Sequence, residues 1–295
     1  MRFGQPVRSM FLAKLKVMLP LLPRCVRAPR SGSKDRATNL GYRRKKSLLI
    51  DVALVPVEIQ DNQQLADSAV IVIDVLRATS TIITALDAGA ASVVAVADVE
   101  EARGLAAALG DSAVLGGERG GVTLPGFQLG NSPLEYTSEL VSDRMVVLTT
   151  TNGTYTLHKV YNAAEVAVAA FLNAEAAARW GKAQLQAGRR LLLACAGTMR
   201  RFAREDACCA GLLVGILRKQ LGEAVQCTDG AFAAEQLWIS AERDALQVLH
   251  GSSHGAGLIE LGFEADLTYC AQQSVSESVP ELCDGRLVLD KGSRG

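Results

Sequence analysis

The feature that most constrains the fold of this chain is a nearly unbroken apolar run, AVIVIDVL, at residues 69–76. Its length suits a strand and falls well short of a membrane span. A strand without alternating polar residues is buried on both faces, which is typical of a sheet covered by helices on each side. The run therefore predicts a layered α/β protein.

The rest of the chain repeats this pattern, with strand-like apolar runs separated by helix-like stretches. Predicted strands cover residues 48–57, 69–76, 91–96, 113–116, 145–149, 165–169 and 190–194. Predicted helices cover residues 80–88, 99–109, 133–140, 154–160, 173–186, 204–221 and 232–240. This alternation indicates a three-layer α/β/α fold with a largely parallel, mixed sheet. A chain of 295 residues allows one large domain or two lobes.

The first 46 residues differ in composition from the rest of the chain. They hold 13 of the 31 Lys and Arg residues and a single acid, Asp35. We expect a disordered extension or a stretch that is not normally translated, with an organelle transit peptide and a functional basic arm as alternatives. The predicted arrangement is this extension at 1–46, a folded domain at 47–290 and a flexible tail at 291–295.

Charge and cysteine patterns argue against several functional classes. The remainder of the chain is acidic, which disfavours non-specific nucleic-acid binding. The seven cysteines lack the paired spacing of a zinc site and favour a reducing compartment. No apolar run reaches the roughly 18 residues of a membrane span. We therefore expect a cytoplasmic protein, or an organellar one if residues 1–46 are a transit peptide. The pattern predicts no oligomeric state.

Polar side chains follow four of the predicted strands, at the strand ends where open α/β sheets bind ligands. In the first loop, Asp74 ends a buried strand, and Arg77, Thr79 and Ser80 follow at a helix start. Helix N-termini and arginine side chains bind anions, and a carboxylate suits Mg²⁺. The alternative is a helix cap with an Asp–Arg ion pair.

The second loop is glycine-rich and runs from residue 116 to 133. Its glycines allow the backbone to approach a ligand closely. Glu118 is a candidate metal ligand or base, and Arg119 is a candidate anion clamp. Asn131 and Ser132, near its end, are candidate substrate contacts. The alternative is a solvated turn.

The third loop joins a strand to a helix through hydroxyl groups, an amide and a glycine. This composition favours a phosphate cradle over a plain turn, although Asn-Gly alone is a weak signal. The candidate contacts are Thr150, Asn152, Gly153 and Thr154.

The fourth loop reads CAGTMRRFARED at residues 195–206. Cys195 and Arg201 have the C-x5-R spacing of phosphatases with a cysteine nucleophile, but Ala194 stands where that signature has a histidine. Gly197 and Thr198 are candidate phosphate contacts. The acids at residues 205 and 206 suit a helix N-terminus, a metal ion or a general base equally well. His254, in a glycine-rich stretch, is either solvent-exposed or a contact to an anionic substrate.

Together these stretches resemble the 2-phosphosulfolactate phosphatase (ComB) family. The resemblance rests on four motifs in the expected order, AVIVIDVLRATSTIITAL, GGERGG…LPGFQLGNSPLEY, TTTNGT and CAGTMRRFAREDACCAG. It implies a Mg²⁺-dependent phosphatase with an α/β/α fold that converts (2R)-phospho-3-sulfolactate to (2R)-3-sulfolactate and phosphate in coenzyme M synthesis. The chain departs from the family pattern at Met199-Arg200 and at Gln128, which cannot be a charged metal ligand.

The mechanism expected from these loops is metal-assisted hydrolysis. Mg²⁺ would be held by Asp74, Glu118 and Asp206, with Glu205 as a further candidate, and arginines 77, 119 and 201 would neutralise the anionic substrate. One rival is a covalent mechanism in which Cys195 attacks phosphate as a thiolate. The other is a non-enzymatic module that binds an anionic metabolite.

Overall fold

The computed structural model describes residues 48–290. The predicted extension at 1–46 and the predicted tail at 291–295 lie outside the described residues. The described strands are β1 Leu48–Ala53, β2 Ser68–Ile73, β3 Ser92–Ala95, β4 Ala113–Arg119, β5 Val122–Thr123, β6 Met145–Thr149, β7 Glu165–Ala169, β8 Arg190–Cys195, β9 Val225–Cys227, β10 Glu281–Cys283 and β11 Arg286–Val288. The described α-helices are α1 Gln63–Ala66, α2 Ala78–Asp87, α3 Val99–Leu109, α4 Ser138–Val141, α5 Gly153–Lys159, α6 Ala174–Gln186, α7 Arg204–Leu221, α8 Asp229–Ser240, α9 Ala245–His250, α10 Ser253–Glu260 and α11 Glu264–Cys270.

The eleven described strands form one mixed sheet in the order β5-β4-β6-β3-β11-β10-β7-β2-β8-β1-β9. Parallel pairing joins β4, β6 and β3 in one group and β7, β2, β8, β1 and β9 in another. The antiparallel hairpin β10–β11 lies between the two groups and contacts each through a single residue pair, Glu281 with Ala167 and Leu287 with Val93.

Strand β2 lies between β7 and β8, and all six of its residues are buried. Its alternate side chains enter two different cores. Ile71 and Ile73 pack in the core that includes residues of α6 and α7, and Val70 and Val72 pack in the core that includes residues of α2. Helices therefore cover both faces of the sheet, which confirms the predicted three-layer α/β/α fold.

The predicted helix at residues 133–140 is wrong. A short 3-10 turn, Pro133–Glu135, and the four-residue helix α4 stand there instead. The Tyr136 hydroxyl between them donates to the carbonyl of Gly130, 2.8 Å away, and this bond ties the segment back to the preceding loop. In the described part of the chain, no helix combines the length and hydropathy needed to cross a bilayer.

Candidate active site

The loops that follow β2, β4, β6 and β8 meet around one cavity of about 280 Å³, and the start of α10 forms a further wall. Both parallel groups of strands contribute to it, so the hairpin does not separate their ligand-binding ends. The predicted site residues that line the cavity are Asp74, Arg77, Glu118, Asn131, Thr150, Asn152, Thr198 and His254. An apolar part of the wall comes from Leu76, Met199, Leu258 and Leu261.

Asp74 lies in this cavity directly after the central strand β2, and it is almost fully buried. Helix α5 approaches it so closely that a Cβ atom on Gly153 would lie 2.8 Å from Asp74 Oδ2 and 2.6 Å from the Ala78 side chain. Burial raises the pKa of Asp74 from 3.8 to about 7, and the nearby charges of Glu118 and Glu205 add to the increase. The cavity thus contains a carboxylate for which a bound cation would be stabilising.

A pH-dependent effect on stability follows for the metal-free protein. The folded-state pKa of Asp74, about 7, lies above its ordinary value of 3.8, so the folded state binds more protons between these values. The free energy of unfolding therefore falls as pH rises from 3.8 to about 7, because Asp74 keeps its proton in the folded state but not in the unfolded state. The free energy of unfolding of Asp74→Asn minus that of the unmodified chain should therefore increase from pH 5 to pH 8, by on the order of a few kcal/mol. Urea denaturation in EDTA at both pH values measures this, and a constant difference would contradict it.

Two of the hydroxyl groups predicted to contact substrate are used by the backbone instead. Thr79 Oγ1 donates to the carbonyl of Asp74, 2.8 Å away, and Ser80 Oγ donates to the carbonyl of Val75, also 2.8 Å away. Both side chains are fully buried. They fix the turn between β2 and α2 and do not reach the cavity lining.

Glu118 joins the second loop to the third. Its Oε1 accepts hydrogen bonds from the backbone N–H and the hydroxyl of Thr151, at 2.9 and 3.0 Å, and its Oε2 accepts from the N–H of Gly121 at 2.8 Å. The neighbouring Arg119 turns elsewhere, because its guanidinium donates to the carbonyls of Glu118 and Ala97 and to the Thr149 hydroxyl. Arg119 is thus used to hold strand ends together and does not line the cavity.

Asn131 lies at the cavity with its side chain buried. Its Oδ1 atom is a buried side-chain acceptor without a hydrogen-bond partner among the residues that the structure describes. Buried polar atoms are rarely left unpaired, so this oxygen indicates a ligand. Gln128, by contrast, accepts from the backbone of Leu115 at 2.9 Å and lies outside the cavity lining.

The third loop contacts the cavity through Thr150 and Asn152. Asn152 Oδ1 also accepts from the backbone N–H of Met199, 3.0 Å away, which joins the third loop to the fourth. Thr154 Oγ1 is buried and donates to the carbonyl of Thr150 at 2.6 Å. Thr154 and Gly153 therefore shape the start of α5 beside the cavity.

The fourth loop closes on itself as a tight hairpin. Thr198 and Arg201 exchange two backbone hydrogen bonds, of 3.1 and 3.0 Å, and the two residues between them, Met199 and Arg200, have φ values of +52° and +64°. The Arg200 guanidinium lies over the Tyr155 ring, with Cζ 4.7 Å from the centroid. Arg201 is exposed and does not line the cavity. Residues 198–201 therefore form a closed turn and not the open phosphate-binding loop that the C-x5-R spacing suggests.

Cys195 is fully buried at the end of β8 and does not line the cavity. Burial raises the pKa of its thiol well above the ordinary value, and the neighbouring Asp206 and Cys209 add to the increase. A thiol in this environment stays protonated at neutral pH and is a poor nucleophile. The geometry disfavours the covalent alternative.

The two acids at the start of α7 have different partners. Asp206 Oδ1 accepts from the N–H of Val75 and Oδ2 from the N–H of Gly197, each at 2.9 Å, so its carboxylate joins the first loop to the fourth. Burial raises the pKa of Asp206 well above its ordinary value, with the charges of Asp74 and Glu205 adding to it. Neither Glu205 nor Asp206 is part of the cavity lining.

Glu205 instead faces His254, with 3.5 Å between its Oε1 and the histidine Nδ1. Burial by itself would lower the pKa of His254, but the hydrogen bond and the charge of Glu205, together with the charge of Asp74, raise it above the ordinary value of 6.5. A positively charged imidazole ring at the cavity is thereby favoured.

Oxygen donors at the cavity suit a hard cation such as Mg²⁺. Asp74 and Glu118 supply carboxylates, and Asn131 supplies the unpaired amide oxygen. Residues 48–290 contain no preformed cluster of three His, Cys, Asp or Glu side chains for a metal. These three oxygen donors therefore fit a Mg²⁺ ion that takes some of its ligands from water or substrate, whereas Asp206 does not line the cavity.

Comparison with known proteins gives a consistent result. The family model of 2-phosphosulpholactate phosphatase matches residues 53–285. A Thermotoga maritima protein named probable 2-phosphosulfolactate phosphatase is 42% identical over 220 residues, which cover 74% of this chain and 91% of that protein. Proteins of the same name from Carboxydothermus hydrogenoformans and Symbiobacterium thermophilum are 39% and 40% identical and cover 82% and 79% of this chain, and 97% and 99% of their own lengths.

Proposed function

This chain belongs to the 2-phosphosulpholactate phosphatase family, and from that premise we propose that it hydrolyses 2-phosphosulfolactate to sulfolactate and phosphate. The observation that carries the proposal is the convergence of four strand-end loops on one cavity that holds buried carboxylates and cationic groups. Coenzyme M synthesis as the pathway and the cytoplasm as the location stay predictions.

The cavity suits a substrate with several anionic groups. Helices α2 and α10 begin beside it, and their dipoles favour negative charge there. Arg77 and His254 add positive charge in the lining. The phosphate, sulfonate and carboxylate groups of 2-phosphosulfolactate match this combination of donors.

We propose Mg²⁺ as the cofactor because the cationic side chains alone are too few. Asp74 and Glu118 oppose the charges of Arg77 and His254 in the cavity lining, so a phosphate dianion would meet no net positive charge. Asp74, Glu118 and Asn131 would hold the ion. When bound, Mg²⁺ would neutralise phosphate oxygens and make the phosphorus more electrophilic.

The chain's own residues then bind and orient the substrate. Arg77 donates to phosphate oxygens, and the side chains of Thr150, Asn152 and Thr198 offer further hydrogen bonds at the cavity wall. His254 is held through Nδ1, which lies 3.3 Å from Thr198 Oγ1 and 3.5 Å from Glu205 Oε1, and this leaves Nε2 able to donate a proton to the departing alkoxide oxygen. A water molecule on the opposite side of the phosphorus would form the new P–O bond as the bond to the alkoxide breaks, and would release its proton to solvent.

Phosphate release from 2-phosphosulfolactate by the full chain tests the proposal. We expect release with Mg²⁺, loss of release in EDTA and recovery when Mg²⁺ is restored, because the cavity needs a cation to accept a dianion. Release that survives EDTA would contradict metal assistance. Binding of the compound without any release, in Mg²⁺ as in EDTA, would favour the non-enzymatic binding module.

Cys195→Ala tests the covalent rival in the same assay. We expect it to keep kcat within about threefold of the unmodified chain, since loss of a true nucleophile costs on the order of 10⁴-fold or more. Cys209→Ala is the matched control, because Cys209 is an equally buried thiol. A large loss in Cys195→Ala alone would assign the nucleophile to Cys195.

A further inference from the structure

The Arg77 guanidinium is held in place at the cavity by three contacts. Its Nη1 lies 2.6 Å from Oδ2 of Asp266, and its Nη2 donates to the carbonyl of Gly121 at 2.9 Å. The ring of Phe263 covers the guanidinium, with the centroid 4.3 Å from Cζ. Two segments that are distant in sequence, the start of α11 and the loop at Gly121, therefore fix the position of one cationic group.

Asp266, in helix α11, has a second partner. Its Oδ1 accepts from the Ser132 hydroxyl at 2.6 Å. Ser132 directly follows Asn131, whose buried Oδ1 is unpaired among the described residues. One carboxylate thus anchors both the arginine and the segment that carries the candidate amide ligand.

We propose that Asp266 is a positioning residue for phosphate binding, which acts by fixing Arg77 and the Asn131-Ser132 segment at the cavity. The proposal rests on the function proposed above, in which Arg77 binds the phosphate group. Asp266 itself does not line the cavity, so it acts through these neighbours.

Stability alone does not account for this ion pair. Both side chains are only 2% exposed, and a pair of charges this deeply buried stabilises a fold no better than apolar side chains of the same volume. A guanidinium has five N–H groups, and the bonds to Asp266 and Gly121 leave others for a ligand at the cavity. Holding those donors in one geometry removes the ordering cost of a long side chain when phosphate binds.

The network also continues to the proposed metal site. The N–H of Gly121 donates to Oε2 of Glu118, while the carbonyl of the same residue accepts from Arg77. The hydrogen bonds therefore run from Glu118 through Gly121 and Arg77 to Asp266. Movement of Asp266 would therefore displace Arg77, the proposed phosphate ligand, relative to Glu118, the proposed Mg²⁺ ligand.

Binding of inorganic phosphate to the full chain tests the proposal, with and without Mg²⁺, by isothermal titration calorimetry. We expect Asp266→Asn to weaken phosphate binding about 10- to 100-fold, the size of a charge-assisted hydrogen bond. In steady-state kinetics, Asp266→Asn should raise KM more than it lowers kcat. Glu235→Gln is the matched control, since it breaks the Arg218–Glu235 ion pair between α7 and α8, and it should leave phosphate binding unchanged.

A double-mutant cycle with Arg77→Met separates positioning from a general structural role. If Asp266 acts mainly through Arg77, then in the Arg77→Met background Asp266→Asn will weaken phosphate binding only by the smaller factor that its bond to Ser132 contributes. Equal weakening in both backgrounds, no weakening in the unmodified background or tighter binding in Asp266→Asn would each overturn the proposal.

Two further variants apply if Asp266→Asn does not fold, as judged by circular dichroism. Ser132→Ala and Phe263→Leu each remove one support of the network, and each should weaken phosphate binding by a smaller factor of about three to ten. Unchanged binding in both would overturn the proposal. A chain that binds phosphate but does not hydrolyse 2-phosphosulfolactate would contradict the proposed substrate alone, and one that binds no phosphate would overturn both.

Discussion

Replacing Asp74 with asparagine is expected to lower kcat/KM for 2-phosphosulfolactate by about 1000-fold, the cost of losing a charged group that holds a catalytic cation. The asparagine side chain has the shape of the aspartate side chain. The turn that positions residue 74 is held by the Thr79 hydroxyl, which bonds the backbone N–H and carbonyl of Asp74. The fold should therefore survive. What is lost is the buried negative charge at the end of β2.

The dependence on Mg²⁺ concentration distinguishes loss of a metal ligand from a general defect. Asp74→Asn should need a higher Mg²⁺ concentration for half-maximal activity, because one of the proposed oxygen ligands is now neutral. Asp51→Asn is the matched control, since Asp51 accepts a hydrogen bond from Thr228 outside the cavity. An Asp74→Asn enzyme with normal kcat/KM and normal Mg²⁺ dependence would remove Asp74 from the site.

The sequence predicted which loops meet, but it could not predict where each side chain in them points. Polar residues after apolar strands indicate a ligand-binding edge, and four such loops do line one cavity. Arg77 and Arg119 look equivalent in sequence, because each follows an acid by three residues or fewer at a strand end. Arg77 lines the cavity and Arg119 does not. Arg119 is turned away because the Ala97 carbonyl, beyond the end of β3, lies within hydrogen-bond distance of its guanidinium. That proximity depends on strand order, which no local pattern encodes.

Asp266 was missed for a similar reason. It lies 189 residues from Arg77 in the chain and is brought to it only by the packing of α11. Helices α9, α10 and α11 have only six to eight residues each, and segments this short give little helical periodicity in the sequence.

The hairpin β10–β11 did have a signal that went unused. Asp284-Gly285, with φ values of +50° and +80°, stands between two short strands, and Asp-Gly is a strong marker of a two-residue turn. Each strand has only three residues, so the alternation of polar and apolar side chains is too brief to identify them. Recognising this turn would have predicted the antiparallel β10–β11 pair of the mixed sheet.

Gly197→Ala is expected to lower the free energy of unfolding by about 2–4 kcal/mol and to remove most activity. Gly197 has φ of +67°, and an added Cβ would lie 2.0 Å from the carbonyl oxygen of Arg201. The hairpin would have to open, which would displace Thr198 from the cavity wall and disturb the Gly197 N–H bond to Asp206. Urea denaturation and kcat/KM measure the two effects.

Gly188→Ala separates backbone strain from the steric clash. Gly188 has a similar φ of +84°, but an added Cβ there would have no atom of residues 48–290 within 4 Å. Gly188→Ala should lower the free energy of unfolding by only about 1 kcal/mol and leave kcat/KM unchanged. A Gly197→Ala protein as stable and active as Gly188→Ala would mean that the fourth loop adapts easily and that its closed hairpin does not shape the site. A larger loss at Gly197 would tie activity to this hairpin, in which the Cys195–Arg201 spacing serves a tight turn and not a phosphate loop around a thiolate.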